Sequence, residues 1–327
     1  MNNYSFIQRF LHNFALSSQL MREIMFDLEQ SIFLRSEDIF PDNHVFVAGL
    51  ARSGTTVLLN AIYQSNQFAS LTYNDMPFIL SPNLWSKISS KKNFSELQER
   101  AHTDNIFINL NSPEAFEEVF WKTFEVDLEV CKELFIKFVL LILKKNHRSR
   151  YLSKNNQNIR RLVLINEIFP KSKILVPFRD PIQQSFSLFL NHKKFIKKQT
   201  DDRFVRTYMD LIGHSEFGLD YKIVKTSNLL YPNPIDFNHW LEQWLLNYKA
   251  LEKLSIKYSG IFLISYGSLC NNPKIWNEVK NSLELDMDLE FVFSESIKDI
   301  NQEIDRKLSI KCYDLFNSME KHSIGSE

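Results

Sequence analysis

The chain predicts an α/β protein in which a mainly parallel central sheet carries helices on both faces, a three-layer α/β/α arrangement. Three observations carry this expectation. Runs of β-forming residues at Val45–Val47, Lys173–Phe178 and Gly260–Ser265 are separated by long stretches with helical periodicity. The first two runs are each followed at once by a turn and the start of a helix, the order found in parallel crossover units. The 327 residues are 44% hydrophobic and 13% aromatic, enough apolar material to cover both faces of such a sheet.

Taken in order, residues 5–34 place Phe6, Phe10, Leu11 and Phe14, then Leu20, Ile24 and Leu28, at helical spacings. One or two amphipathic helices are expected, with that apolar face packed on the rest of the chain. Pro41 and Asp42 end the pattern and launch the first strand. After the helix that follows it, residues 65–113 are polar and irregular, punctuated by Pro77, Pro82 and Pro113. A helix is expected from Pro113-Glu114, and a second, mostly buried one over Leu128–Lys144. Ile159–Phe169 reads as a helix stopped by Pro170. The strand Lys173–Phe178 then ends at Arg179, with Asp180 as N-cap and Pro181 at the first position of a new helix. A glycine-bracketed loop, GHSEFG, spans Gly213 to Gly218 and could line a pocket. Phe237–Tyr258 reads as a helix whose Trp240, Trp244 and Tyr248 are expected in the core, and the strand ending at Tyr266 follows. Helices near 273–285 and 305–319 finish the chain.

The sums exclude several functions. Formal net charge is +0, so a general affinity for nucleic acid, which rests on excess Lys and Arg, is not expected. Three cysteines without close spacing suggest neither a disulfide framework nor a zinc knuckle, and the eight histidines form no ligand pair, so no metal is expected. No secretory signal or membrane-spanning stretch is seen, which points to the cytoplasm. Oligomeric state has no signature.

The informative stretch is VFVAGLARSGTT, Val45 to Thr56. Glycine is scarce, 7 in the whole chain, yet Gly49 and Gly54 bracket this one loop between a strand and a helix. Such a junction aims backbone N–H groups and the positive end of a helix at one point, a cradle for a phosphate-like anion. The loop is P-loop-like in spacing, but a Walker A loop needs Lys after its second glycine. Here Thr55 stands at that position and Thr56 at the hydroxyl position, while the cation lies inside the loop as Arg52. A second anion site is expected where Arg179 leaves its strand, with Ser187 eight residues on, two turns into the next helix.

Together these two motifs resemble those of sulfotransferases that use 3′-phosphoadenosine 5′-phosphosulfate (PAPS), and most closely the branch with an RSGTT loop, which includes bacterial, carbohydrate and protein-tyrosine sulfotransferases. The resemblance covers roughly residues 43–275. It implies one sulfotransferase domain over 1–327, with an N-terminal helical segment (1–40), a PAPS-binding core (41–275) and C-terminal helices (276–327). It implies that Arg52, Ser53, Gly54, Thr55 and Thr56 hold the 5′-phosphosulfate, that Arg179 and Ser187 hold the 3′-phosphate, and that Tyr266 belongs to the cofactor site. Lys154, 25 residues before Arg179, takes the place of the family's Lys before the Arg strand. Ala51, Asn155 and Gly267 depart from the usual Pro, Thr or Asp, and acid at those positions.

The implied reaction is in-line transfer of a sulfuryl group to a hydroxyl or amine of a small molecule, glycan or lipid, without a metal. Arg52 and Lys154 would neutralise charge on the departing phosphate. A carboxylate beyond the loop helix would take the acceptor's proton: Asp75 stands there, with Glu114, Glu117, Glu118 and His102 as alternatives. The acceptor pocket is expected from residues 70–120 and 190–235. Two rival readings are a P-loop-type kinase of a small metabolite and a non-catalytic nucleotide-binding protein.

Overall fold

A computed structural model of the chain describes residues 6–89, 98–99, 107–125, 128–224, 229–286 and 288–326. The central sheet has five strands: β1 (Val45–Val47), β2 (Phe68–Ala69), β5 (Arg150–Lys154), β6 (Lys173–Phe178) and β7 (Ile261–Ser265), in the order β2-β5-β1-β6-β7. Every pairing in it is parallel. The short strands β3 (Gln98–Glu99) and β4 (Phe107–Ile108) form a separate antiparallel pair.

The three expected strands are present, and two more join them. β5, RYLSK, lies beside β1 with Val47 opposite Lys154, yet its charged ends hide it from any apolar run. Strand residues alternate between two cores, as pleated backbone requires. Phe46, Ile174, Val176 and Phe178 enter one, shared with Phe135, Phe186, Trp244 and Leu315 of the flanking helices; Val45, Val47, Leu152 and Leu175 enter the other, shared with Leu58, Leu59 and Trp276. All three residues of β1 are fully buried, which marks it as the centre of the molecule.

The helices are α1 (Phe6–Leu16), α2 (Gln19–Phe33), α3 (Thr55–Tyr63), α4 (Pro82–Ile88), α5 (Glu118–Phe124), α6 (Leu128–Asn146), α7 (Leu162–Ile168), α8 (Pro181–Asp201), α9 (Arg203–Leu211), α10 (Phe237–Lys257), α11 (Tyr266–Asn271), α12 (Pro273–Leu283) and α13 (Arg306–Lys321). Among the described residues, no helix is long and apolar enough to cross a membrane.

Two expectations need correction. The helix placed at Pro113-Glu114 begins at Glu118, because residues 113–114 are held in extended pairing: Pro113 bridges Thr72, and the Glu114 amide donates to the Leu71 carbonyl at 3.1 Å. The apolar stripes expected to face inward do not: Phe10 and Phe14 of α1 are exposed, and so is the stripe of α2. Leu20, Ile24 and Leu28 are 64%, 44% and 47% exposed, while the opposite face buries Arg22, Phe26 and Glu29.

Because the strands are parallel, their carboxyl ends share one edge. Ala48, Asn155, Arg179 and Tyr266 all leave the sheet there, where open α/β sheets bind ligands.

Candidate active site

The loop after β1 is shaped by contacts with its neighbours. A Cβ on Gly49 would sit 3.1 Å from the Pro177 carbonyl oxygen of β6. Gly54 has φ 97°, in the left-handed region, and a Cβ there would fall 2.3 Å from Cδ2 of Tyr266. Only glycine meets both demands. Arg52 is also left-handed, at φ 68°, an unusual state for a residue with a side chain. Ser53 is fully buried and donates its hydroxyl to the Leu50 carbonyl at 2.8 Å, closing the turn.

α3 begins at Thr55 with Gly54 as N-cap, so no side chain caps its first turn. α8, α10 and α11, by contrast, start on the side chains of Asp180, Asp236 and Ser265. An uncapped first turn offers its N–H groups to an anion. Thr55 and Thr56 are both buried, and the Thr55 hydroxyl donates to Oδ1 of Asn156 at 3.3 Å, tying the loop to the end of β5.

The structure brings most of the expected site residues to this edge. Lys154 is the last residue of β5 and is buried; the next amide, Asn155, donates to the Val47 carbonyl at 3.1 Å. Arg52 Nε donates to the Ser187 hydroxyl at 3.1 Å, so the loop reaches across to α8. Arg179 and Ser187 are not bonded to each other. Arg179, 8% exposed, instead donates from Nε to Glu295 at 2.6 Å and from a second nitrogen to the Ser296 carbonyl. Tyr266 lays its ring against Gly54 and donates its hydroxyl to the Ser294 carbonyl at 3.0 Å; burial pushes the phenol pKa up.

Segment 288–305, which holds these last partners, has no helix or strand, and sequence reasoning passed over it. It has neither periodicity nor glycine to mark it. Gln183 fastens it by accepting from the Lys298 amide at 2.9 Å and donating to its carbonyl at 3.0 Å. Burial lowers the pKa of the Lys298 ammonium, and the positive charges of Arg52, Arg179 and Lys194 lower it further. Four cations therefore share this corner.

The candidate bases are held in contacts of their own. Asp75 is 1% exposed in the turn Tyr73–Asp75, where it accepts from the Thr72 amide at 2.7 Å and hydroxyl at 3.1 Å and is ion-paired with Lys145 near the end of α6. Its negative charge raises the Tyr63 pKa after burial has done so, and Tyr63 ends α3 at the end opposite the loop. Lys145 stands five residues before β5 begins, at the amino end of the strand, whereas Arg52 follows the carboxyl end of β1, so the structure does not bring Asp75 to Arg52. Glu114 accepts from the Tyr73 hydroxyl at 2.8 Å. Glu117 accepts from Trp121, Tyr151 and Asn158 at 2.9, 3.1 and 2.8 Å. Glu118 accepts from two Arg161 nitrogens at 2.8 and 3.0 Å and from Asn155 at 2.8 Å; burial pushes its carboxyl up while Arg161 pulls it down. His102 lies outside the described residues.

Beside the loop is a recess of about 30 Å³, room for on the order of one or two waters. Its walls include Leu50 and Ala51 of the loop, Asn156 and Gln157, Leu188 and Trp240, with Glu216 of the GHSEFG turn as its carboxylate. Glu216, Tyr221 and Val224 come from the span 190–235 expected to build a pocket, and none of the described residues of 70–120 lines it. Trp244 and Tyr248 are core residues as expected, whereas Trp240 is both buried and a wall of the recess.

Residues 44–221, a little over half of the 327, match the sequence model of a family described as the Sulfotransferase family. No curated protein matches the chain. Among solved structures, the chain is similar to sulfotransferase STF1 of Mycobacterium tuberculosis H37Rv (12% identity, TM-score 0.48, covering 86% of this chain and 78% of that one). It is also similar to STF9 of Mycobacterium avium (11%, 0.48, 97% and 79%). A third is a sulfotransferase from Alicyclobacillus acidocaldarius (13%, 0.40, 87% and 94%).

Proposed function

Since the chain belongs to the sulfotransferase family, we propose that it transfers a sulfuryl group from PAPS to a hydroxyl or amine of a small molecule, glycan or lipid. One observation carries the choice of donor. Two cationic places, Arg52 in an uncapped loop–helix junction and Arg179 at the end of the adjacent strand, share one sheet edge. PAPS presents two separated anionic groups. The 5′-phosphosulfate would take the loop, with Arg52, Gly54, Thr55 and Thr56 around it and the Ser53 amide as a further donor. The 3′-phosphate would take Arg179 and Ser187. The Ser187 hydroxyl accepts from Arg52 and still has its own proton to donate, so it can serve both groups. Tyr266 would act from behind, as the wall against which Gly54 holds the loop.

In-line transfer develops negative charge on the bridging oxygen and the leaving 5′-phosphate. Arg52 and Lys154 would meet that charge through charge-assisted hydrogen bonds worth roughly 1.5–3 kcal/mol each. The acceptor's reacting group would enter the recess beside Leu50 and Ala51, where Glu216 is the carboxylate at hand to take its proton. Asp75 would have to leave Lys145 before it could serve.

Calorimetry without metal tests the donor. The 3′,5′-bisphosphate product of PAPS should bind at least tenfold more tightly than ADP, and Arg179→Ala should erase the difference. Equal affinity of the wild-type protein for the two nucleotides would sink the proposal and return attention to a binding protein or kinase.

A further inference from the structure

Segment 288–305 crosses the carboxyl edge of β6 and β7, and three of the ties that hold it lie at that edge. Two of the ties are backbone anchors: Tyr266 to the Ser294 carbonyl, and the Gln183 side chain to both backbone groups of Lys298. The third differs in kind. Glu295 puts a carboxylate 2.6 Å from Arg179 Nε while the Ser296 carbonyl accepts from another nitrogen of the same guanidinium. A planar guanidinium met by two oxygen acceptors, one of them charged, is an arrangement that a bound phosphate would also produce.

The surroundings make this carboxylate a substitute anion. The Arg179 side chain is 9% exposed, and a guanidinium so buried is costly to leave without a counter-charge. The Glu295 side chain is 21% exposed, so it has a path to water. Positive charge from Arg52, Arg179, Lys194 and Lys298 converges on the same corner.

We propose that Glu295 is a specificity-determining residue of the donor site: its carboxylate competes for the place on Arg179 that a nucleotide's 3′-phosphate takes. This rests on the PAPS reading given above. A ligand gains Arg179 only by displacing a tethered carboxylate, which competes at the high effective concentration of an intramolecular group. A 3′-phosphate brings more charge and more acceptor oxygens than the carboxylate it evicts, so it succeeds. A nucleotide without one leaves Glu295 in place and gains nothing from Arg179. The segment itself need not detach, because the Ser294 and Lys298 anchors do not involve Glu295.

The test is calorimetry on the full chain, without metal, using adenosine 3′,5′-bisphosphate and ADP as probes. Glu295→Gln keeps the shape and removes the competing charge. It should tighten the bisphosphate at least fivefold and leave ADP unchanged. Glu295→Asp, which retains the charge, should stay within twofold of wild type for both and controls for a change in fold. Wild-type protein that prefers the bisphosphate, combined with a Glu295→Gln variant that binds it no better or more weakly, overturns the inference and makes Glu295 a residue that merely orients Arg179. Wild-type protein with no such preference overturns the donor reading itself, and this inference with it.

Discussion

At the scale of the residue, Gly54 answers to two constraints at once. Its φ of 97° disfavours any side chain, and the Tyr266 ring occupies the space that a Cβ would need. Gly54→Ala should therefore cost roughly 1–3 kcal/mol in urea unfolding. It should also weaken the 3′,5′-bisphosphate at least tenfold in calorimetry, since the loop would have to leave Tyr266. Wild-type affinity in that variant would show that the loop's form is not what binds. The bracketing glycines were legible because glycine is rare in this chain, and Arg52 because it displaces the usual Lys. The partner of Gly54 was not: Tyr266 lies 212 positions away, and only the strand order β1-β6-β7 brings them together. Glu295 escaped for a similar reason, since nothing local distinguishes a carboxylate that meets an arginine 116 residues distant.

At the scale of the element, α2 and α4 are joined by a cap supplied from outside. Ser81 gives α4 no side-chain cap. Glu29 of α2, fully buried, accepts from the Asn83 and Leu84 amides at 2.6 and 2.9 Å and from the Asn83 side chain at 2.8 Å. Burial pushes its carboxyl up, and those donors pull it back. Glu29→Ala would leave the Asn83 and Leu84 amides without this acceptor, while the Asn83 side chain would keep the Leu141 carbonyl at 2.9 Å; at about 1–3 kcal/mol for each group left unsatisfied a loss of roughly 2 kcal/mol or more in denaturant unfolding is expected. A change under 1 kcal/mol would show that water replaces the carboxylate without cost. Helical periodicity revealed α2 but misread its inner face. A period counts apolar positions, and here the buried polar residues, Arg22 and Glu29, find partners at Thr123 and Asn83 that no local pattern announces. The same limit hid β5, whose membership of the sheet is set by its neighbours rather than by its composition.

At the scale of the whole molecule, acid should loosen the fold through a group far from the loop. His44 lies at the entry to β1, is fully buried, and its Nδ1 accepts from the Tyr151 amide at 3.1 Å, which fixes the neutral ring. Burial lowers its pKa from 6.5 to about 4. Between those values the unfolded chain binds the proton and the folded one does not, so stability falls as pH drops from 6.5 toward 4 and is unaffected above. The full effect is about 3 kcal/mol at 1.36 kcal/mol per pKa unit. Unfolding free energies of wild type and His44→Asn across that window isolate the contribution, because buried carboxylates such as Glu29 and Glu118, whose pKa values are raised, act with the opposite sign in both proteins. Parallel slopes for the two would refute it. At this scale the α/β class and the placing of Arg52 and Arg179 after strand ends followed from strand, turn and helix order alone, while the five-strand order and the cover over the sheet edge required the folded chain.

The contact between Glu295 and Arg179 also bears on how a turnover ends. A spent nucleotide held by a buried arginine would depart slowly if its exit left that arginine bare. With a carboxylate already tethered alongside, as proposed above, departure would become an exchange of one anion for another, and the protein would reset itself for the next donor as the old one leaves.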